Sequence, residues 1–394
     1  MDAEFPFRLR LHPRHLIDIG WSDLLAAARF PAHDLVEASP TLAWSSGRTA
    51  LLCLSERTGF DALLQALDLP PDGEIVMSAV NVSGMAEIAR AHGLTIRPVD
   101  LSLATLTPPA ELVAEAITSR TALVLIAQLY GAAHDLSDIA EVCRERGVLL
   151  VEDAAQAWSD EFRGSPEADV SLFSFGPIKT STALGGGVVV AADRGLAVRV
   201  ADVLASHRAL PDRWFRSRLM KYAAFKTAGN PIAYSALVQA LRATGRDPDA
   251  VIGGSARGFA AGPMLGQIRR APPARLALLM ERRLAAPTAA PVRMARAAAL
   301  TAHLRRREIS GQEASRHAWW LTPVLSSCPD RLIADLRRAG FDATRGTTSL
   351  RTIGSGELPE ARRLLAQVVY LPALSPLRSS DLEGLADTVN ASTA

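Results

Sequence analysis

The sequence predicts an α/β protein with a mostly parallel central sheet flanked by helices, followed by a smaller C-terminal α+β domain. Three observations carry this. Thr121–Ala127 is near-continuously apolar, as strands buried on both faces of a parallel sheet are. Residues 149–151, 171–175 and 187–190 are shorter apolar runs with turn residues between them. Helical patterns alternate with such runs, which implies parallel strands joined by right-handed crossovers. At 394 residues, 48% hydrophobic and 21% charged, the chain can bury a large core and a second, smaller one. The expected division is an N-terminal arm over 1–40, a large domain over 41–255 and a small domain over 256–394.

In chain order, residues 1–40 mix proline, histidine and short apolar pieces, as an arm lying over the main domain would. Small residues at 44–50 then open an apolar helical pattern over 51–67. A helix start of this kind suits an anion, because free N–H groups and the dipole point at it; a plain serine cap reads the same way. A strand at 74–77, a helix around 86–92, the strand Thr95–Val99 and a helix at 108–117 follow. Thr121–Ala127 runs into Gln128-Leu129-Tyr130-Gly131, which makes Tyr130 and His134 candidate pocket residues. A helix at 135–146 leads to the strand at 149. Beyond residue 212 the pattern is a helical hairpin, about 212–250, with seven basic residues and no acidic one between Asp212 and Asp247. A long Ala/Arg-rich helical region covers 268–304. The segment 317–324 begins the small α+β domain, which helices at 330–339, Pro359–Gln367 and 380–389 and a strand at Val368–Leu371 complete.

Net charge is +2, which points neither to nor away from nucleic acid, and no nucleic-acid partner is expected. Cys53, Cys143 and Cys328 are far apart and lack C-x-x-C spacing, so neither a disulfide framework nor a metal site is expected. No apolar run suits a signal peptide or a membrane span, and a cytoplasmic location is the simplest expectation.

The chemistry gathers at 149–190. Only three of the 43 basic residues are lysine, namely Lys179, Lys221 and Lys226. A lysine amine condenses with carbonyls once desolvation lowers its pKa; arginine cannot. Lys179 follows a strand end, and Asp153 ends the strand before. A lysine and a carboxylate so placed suit pyridoxal phosphate, whose ring nitrogen needs a carboxylate partner. Read alone, Asp153 also serves as a helix cap and Lys179 as a surface loop residue.

Glu152-Asp153-Ala154-Ala155-Gln156-Ala157, then Phe173-Ser174-Phe175-Gly176-Pro177-Ile178-Lys179, then Gly185-Gly186-Gly187 closely resembles the DegT/StrS-type sugar aminotransferases. The resemblance implies the fold-type-I fold of pyridoxal-phosphate transferases and amino transfer to a keto-sugar, nucleotide- or lipid-linked, or to a related ketone. It implies that Lys179 carries pyridoxal 5'-phosphate, Asp153 holds the pyridine nitrogen, Gln156 approaches the ring hydroxyl and Ser174 the phosphate. It further implies a homodimer with shared active sites and a small-molecule amino donor.

The sequence departs from that family in three places. Arg48 stands where a threonine is usual, leaving Gly47 and Thr49 to keep a backbone contact with the phosphate. Asn81 stands where an aromatic residue usually stacks on the ring. The stretch around Ala260 lacks the usual Asn/Arg run. These keep open a cofactor-binding protein with a changed or lost reaction, dehydratase-like, regulatory or a non-sugar transaminase. Retention of Lys179 argues against the dehydratases, which carry histidine there. Residues 213–246, with Trp214, Phe215, Tyr222 and Phe225, also suggest a peripheral membrane contact.

Overall fold

The computed structural model describes residues 10–31, 41–42, 47–70, 72–256, 263–304, 309–346, 348–372 and 377–392. The first half of the chain contains β1 (Thr41–Leu42), β2 (Thr49–Cys53), β3 (Glu74–Ser78), β4 (Val80–Val82), β5 (Thr95–Val99), β6 (Thr121–Ala127), β7 (Ala132–Ala133), β8 (Leu149–Asp153), β9 (Val170–Ser174) and β10 (Gly187–Ala191). Eight of these form one sheet in the order β1-β2-β10-β9-β8-β6-β3-β5. The four pairings among β9, β8, β6, β3 and β5 are parallel, whereas β10 lies antiparallel between β9 and β2. The fold is therefore α/β with a mainly parallel sheet.

Side chains along each strand alternate between faces, and the two faces have separate cores. On one face Leu51, Met77, Leu125, Val151 and Leu172 meet the helices Glu56–Ala66, Ser83–Ala91 and Arg194–Ala205. On the other face Val76, Val124, Ile126 and Leu150 meet the helices Ala110–Ala116 and Ser137–Glu145. The rest of that face, with Leu52, Phe173, Val188 and Val190, is covered by Trp21–Arg29, Asp212–Thr227 and Ala274–Ala285.

That cover decides the fate of the basic hairpin. It forms as helices Asp212–Thr227 and Pro231–Ala243, the second capped by Asn230, whose Oδ1 accepts from Ala233 N. Phe215 is fully buried, and Tyr222 and Leu219 are 2% and 9% exposed, packed among Leu184, Leu276 and Met280. A membrane contact through Phe215, Leu219 and Tyr222 would require removing these side chains from the core, at about 1.5–3 kcal/mol each. The expectation of an apolar face free for a membrane is thus corrected: the sheet takes it. Among the described residues no helix is long and apolar enough to cross a membrane.

A second correction concerns 51–67. The helix expected there is in fact strand β2 followed by the helix Glu56–Ala66. Pairing of β2 with both β1 and β10 overrides helical propensity, and Ser55 begins the helix by accepting from Thr58 N at 3.1 Å. The 268–304 region is likewise three helices, Met264–Ile268, Ala274–Ala285 and Ala290–His303, with prolines at their starts.

The C-terminal part pairs β12 (Thr322–Leu325) with β14 (Val368–Leu371) beneath helices Pro329–Ala339 and Ser379–Ala391, with a core of its own around Val324, Leu336, Val369 and Leu385. Two short ladders tie it to the large sheet's loops: β11 (Arg316–His317) pairs with β7, and β13 (Leu350–Thr352) pairs with β4. The Ala260 stretch, residues 257–262, lies outside the described residues.

Candidate active site

The site lies at the carboxyl ends of β8 and β9, where an open parallel sheet leaves a crevice. A cavity of about 350 Å³ opens there, lined by Lys179, Gln156, Ser174, Arg57, Trp320 and Arg351 among others. The Lys179 loop is built by backbone constraints. Lys179 N donates to the Gly176 carbonyl at 3.0 Å, and the Thr182 hydroxyl donates to the carbonyls of Phe175 and Gly176. From the arm, Asp18 accepts from Ser181 N at 3.0 Å. Lys179 is half-buried, with Nζ 4.3 Å from the centre of the Trp320 ring. Burial lowers its pKa from the ordinary 10.5 to about 8, against the raising effect of the nearby Glu56 and Asp153 carboxyls.

Asp153 is buried at the end of β8, and its Oδ1 accepts from Ala155 N at 3.2 Å. Gln156 faces the cavity while its Oε1 accepts from Tyr130 N at 2.9 Å. Ser174 is half-buried on the cavity wall. Glu152 is a structural node, accepting from Gln128 Nε2, Ser165 N and Ser171 Oγ at 2.8–3.0 Å. Tyr130 packs in the core against Tyr370, and His134 makes backbone and Ser315 contacts; neither lines the cavity.

The helix N-terminus at the cavity is that of Glu56–Ala66, contributing Ser55, Glu56 and Arg57. Gly187 makes this possible: a Cβ there would stand 2.4 Å from Glu56 N and 2.5 Å from the Ser55 carbonyl carbon. The expected anion site at 44–50 is corrected accordingly. Residues 44–46 lie outside the described residues, Gly47 turns with φ +69°, Thr49 begins β2, and Arg48 donates to the Ser165 and Ala168 carbonyls. Arg48 points elsewhere because two carbonyls of the 165–168 loop claim its guanidinium. Asn81 is corrected too. It is 1% exposed, its Oδ1 accepts from Val82 N at 2.6 Å, and Val82, not Asn81, lines the cavity.

Sequence reasoning missed Glu56, Arg57, Arg218, Trp320 and Arg351. Glu56 is 7% exposed, hydrogen-bonded to Asp153, with Oε1 buried and without a hydrogen-bond partner. Burial, then the Asp153 charge, raises its pKa well above the ordinary carboxyl value. Arg218, from the basic hairpin, donates to the Leu184 carbonyl at 2.9 Å and lies 4.7 Å over the Trp214 ring. Arg351 arrives through the β13–β4 ladder.

A desolvated amine, a buried carboxylate, a hydroxyl, a helix N-terminus and several guanidinium groups around one cavity make a donor set that fits pyridoxal phosphate. The buried, unpartnered Glu56 Oε1 marks a polar place in the same space. Sheet order and site position together define a fold-type-I architecture. Within it, residues 35–224 match the model of the DegT/DnrJ/EryC1/StrS aminotransferase family, which the chain resembles. A dTDP-4-dehydro-2,3,6-trideoxy-D-glucose 4-aminotransferase of Saccharopolyspora spinosa is 32% identical over 177 residues, 44% of this chain and 43% of that protein. The chain thus matches under half the length of that relative. Among solved structures, Helicobacter pylori PseC, an aminotransferase involved in the biosynthesis of pseudoaminic acid, is similar with TM-score 0.67 and 15% identity, covering 96% of this chain and 98% of PseC. An E. coli GDP-4-keto-6-deoxy-D-mannose-3-dehydratase with bound hydrated PLP is similar with TM-score 0.61 and 17% identity, covering 86% and 87%.

Proposed function

We propose that this chain is a pyridoxal-phosphate-dependent aminotransferase that moves an amino group from a small-molecule donor to a ketone, with a keto-sugar as the class its named relative suggests. One observation carries the reading: Lys179 stands on the wall of the cavity at the carboxyl end of the sheet, close to the buried Asp153 at the end of β8, and burial there lowers its pKa to about 8. Lys179 would hold the cofactor, Asp153 its ring nitrogen, Gln156 its ring hydroxyl, and Ser174 with the Ser55–Arg57 helix start its phosphate. When bound, the cofactor supplies an electron sink for the carbon that loses its proton.

The protein's own part is charge and proton placement. Lys179 Nζ, neutral in a useful fraction near neutral pH, accepts and returns the proton as general acid–base. The Trp320 ring steadies the charged form. Asp153 is buried at the end of β8, and Glu56, whose pKa burial raises well above the ordinary carboxyl value, is hydrogen-bonded to it. Arg57, Arg218 and Arg351 bring positive charge for phosphate or carboxylate groups of donor and acceptor. As fold-type-I enzymes do, the chain would act as a homodimer, and light scattering giving the monomer mass for the active species would count against that.

The test is spectroscopic. Purified protein with added pyridoxal phosphate should gain a visible absorption band that amino donors discharge. Borohydride reduction and peptide mapping should place the label on Lys179; a label on Lys221 or Lys226 sinks the assignment.

A further inference from the structure

A second cavity, of about 310 Å³, lies beside the first, between the N-terminal arm and the basic hairpin. The two share Pro177, Ile178, Gly253 and Gly346, so the residues just before Lys179 form the partition. That partition is held in place. The Ile178 carbonyl accepts from Trp320 Nε1 at 2.7 Å, and His15 hydrogen-bonds to the same backbone.

The wall is apolar in effect. Leu16, Ile17, Ile178, Phe225, Leu237 and Ile252 face the space. Most of its polar side chains are engaged within the protein: Arg14 and Tyr234 both bind Asp342, Asn230 joins the Thr227 carbonyl of one helix to Ala233 N of the next, and Lys226 Nζ lies 6.0 Å over the Trp21 ring, while His15 Nδ1 is buried without a partner. Burial lowers His15 to about 4, so its ring is neutral at ordinary pH. A sugar or nucleotide placed here would leave hydroxyls unmatched, each worth on the order of tenfold in affinity. A hydrocarbon needs no such partners and meets Leu16, Ile17, Ile178, Phe225, Leu237 and Ile252. Phe225, Leu237 and Ile252 lie beyond residue 224, where the match to the family model ends.

We propose that this second cavity is a subsite for an aliphatic arm of the acceptor: the ketone carbon stands at Lys179 and the hydrocarbon passes Ile178 to lie between the arm and the hairpin. The proposal rests on the amino-transfer reading of the first cavity and deepens it by naming a hydrocarbon-bearing ketone. Binding in the subsite involves no chemistry; it contributes affinity and selects among ketones.

The experiment uses the cofactor-loaded protein with linear 2-alkanones of increasing length, measured by displacement of anilinonaphthalene sulfonate and, separately, as amino acceptors. Affinity should rise about fourfold per added methylene until the cavity is full, then level off. Leu237→Trp and Ile17→Trp, which fill the space from opposite sides, should each abolish the length dependence while the visible cofactor band persists. Affinity independent of length, or a dependence that both filled variants retain, overturns the proposal. Length-dependent binding without amino transfer to any ketone supports the subsite and overturns the amino-transfer reading. Amino transfer to keto-sugars without length dependence does the reverse.

Discussion

Lys179 and Glu56 share the cavity floor, and burial drives their titrations in opposite directions. The neutral Lys179 amine is the form that attacks a carbonyl, and its fraction grows as pH rises through about 8. Capture of added pyridoxal phosphate should therefore speed up roughly tenfold per pH unit below that value and level off above it. A rate still climbing past about pH 9.5 would mean an ordinary lysine. Glu56 has the converse effect on stability. Its folded pKa is raised, so its contribution is fully present below the ordinary 4.5 and is lost as pH rises toward the folded value. Glu56→Gln keeps a donor to Asp153 without that loss. Its melting temperature relative to the parent should climb as pH goes from about 4 to about 8; a constant difference would show that Glu56 is not held neutral. In the proposed site Asp153 would pair with the ring nitrogen, so Asp153→Asn should keep the cofactor yet lose most turnover; near-normal turnover would refute the role. That Lys179, Gln156 and Ser174 line one cavity, with Asp153 buried at the end of β8, was legible because one strand-loop-strand stretch carries them all. Asn81 misled by a single position: along β4 neighbouring side chains face opposite sides, so a slip of one residue exchanges the cavity-lining Val82 for the inward Asn81.

At the scale of elements, Glu56 and Arg57 were hidden because 51–67 is apolar enough to read as one helix. The strand within it exists only through pairing with its sheet neighbours, above all β10, a contact distant in sequence. That pairing depends on Gly187. A Cβ there would meet backbone atoms of Ser55 and Glu56, which cannot swing aside as a side-chain tip could. Gly187→Ala should cost about 1–3 kcal/mol, as overpacking does, and displace the helix start from the cavity. Denaturant unfolding measures the first effect and cofactor titration the second; a stable variant with normal cofactor affinity would contradict the claim. The hairpin shows the opposite limit of sequence reading. Aromatic residues at helical spacing, flanked by cations, look the same whether lipid or a sheet covers them. Only the neighbours that Phe215 and Tyr222 meet in space decide between the two, and here these include Phe173, Val188 and Leu276.

Across the whole molecule, a buried ion network joins three parts that are remote in sequence. Arg14 of the arm binds Asp342 of the C-terminal part through two bonds of 2.7 and 2.9 Å. Tyr234 of the hairpin donates to the same carboxylate, and Arg337 reaches it at 3.3 Å. Asp249 adds contacts to Arg14 and Arg337. Asp342 is fully buried, and Arg14 and Arg337 are 7% and 8% exposed. The same arm carries Asp18 to the Lys179 loop and His15 to Ile178, so loosening it should be felt at both cavities. Removing one partner of such a network strands the others as uncompensated buried charge, which costs about 3–5 kcal/mol. Asp342→Ala should therefore lower the unfolding free energy by that amount, and by nearly the same amount at low and high salt, since buried pairs are little screened. Denaturant titration at two ionic strengths decides it. A loss below about 1 kcal/mol, or one that vanishes in high salt, would match an exposed ion pair and would mean the arm is held by something else.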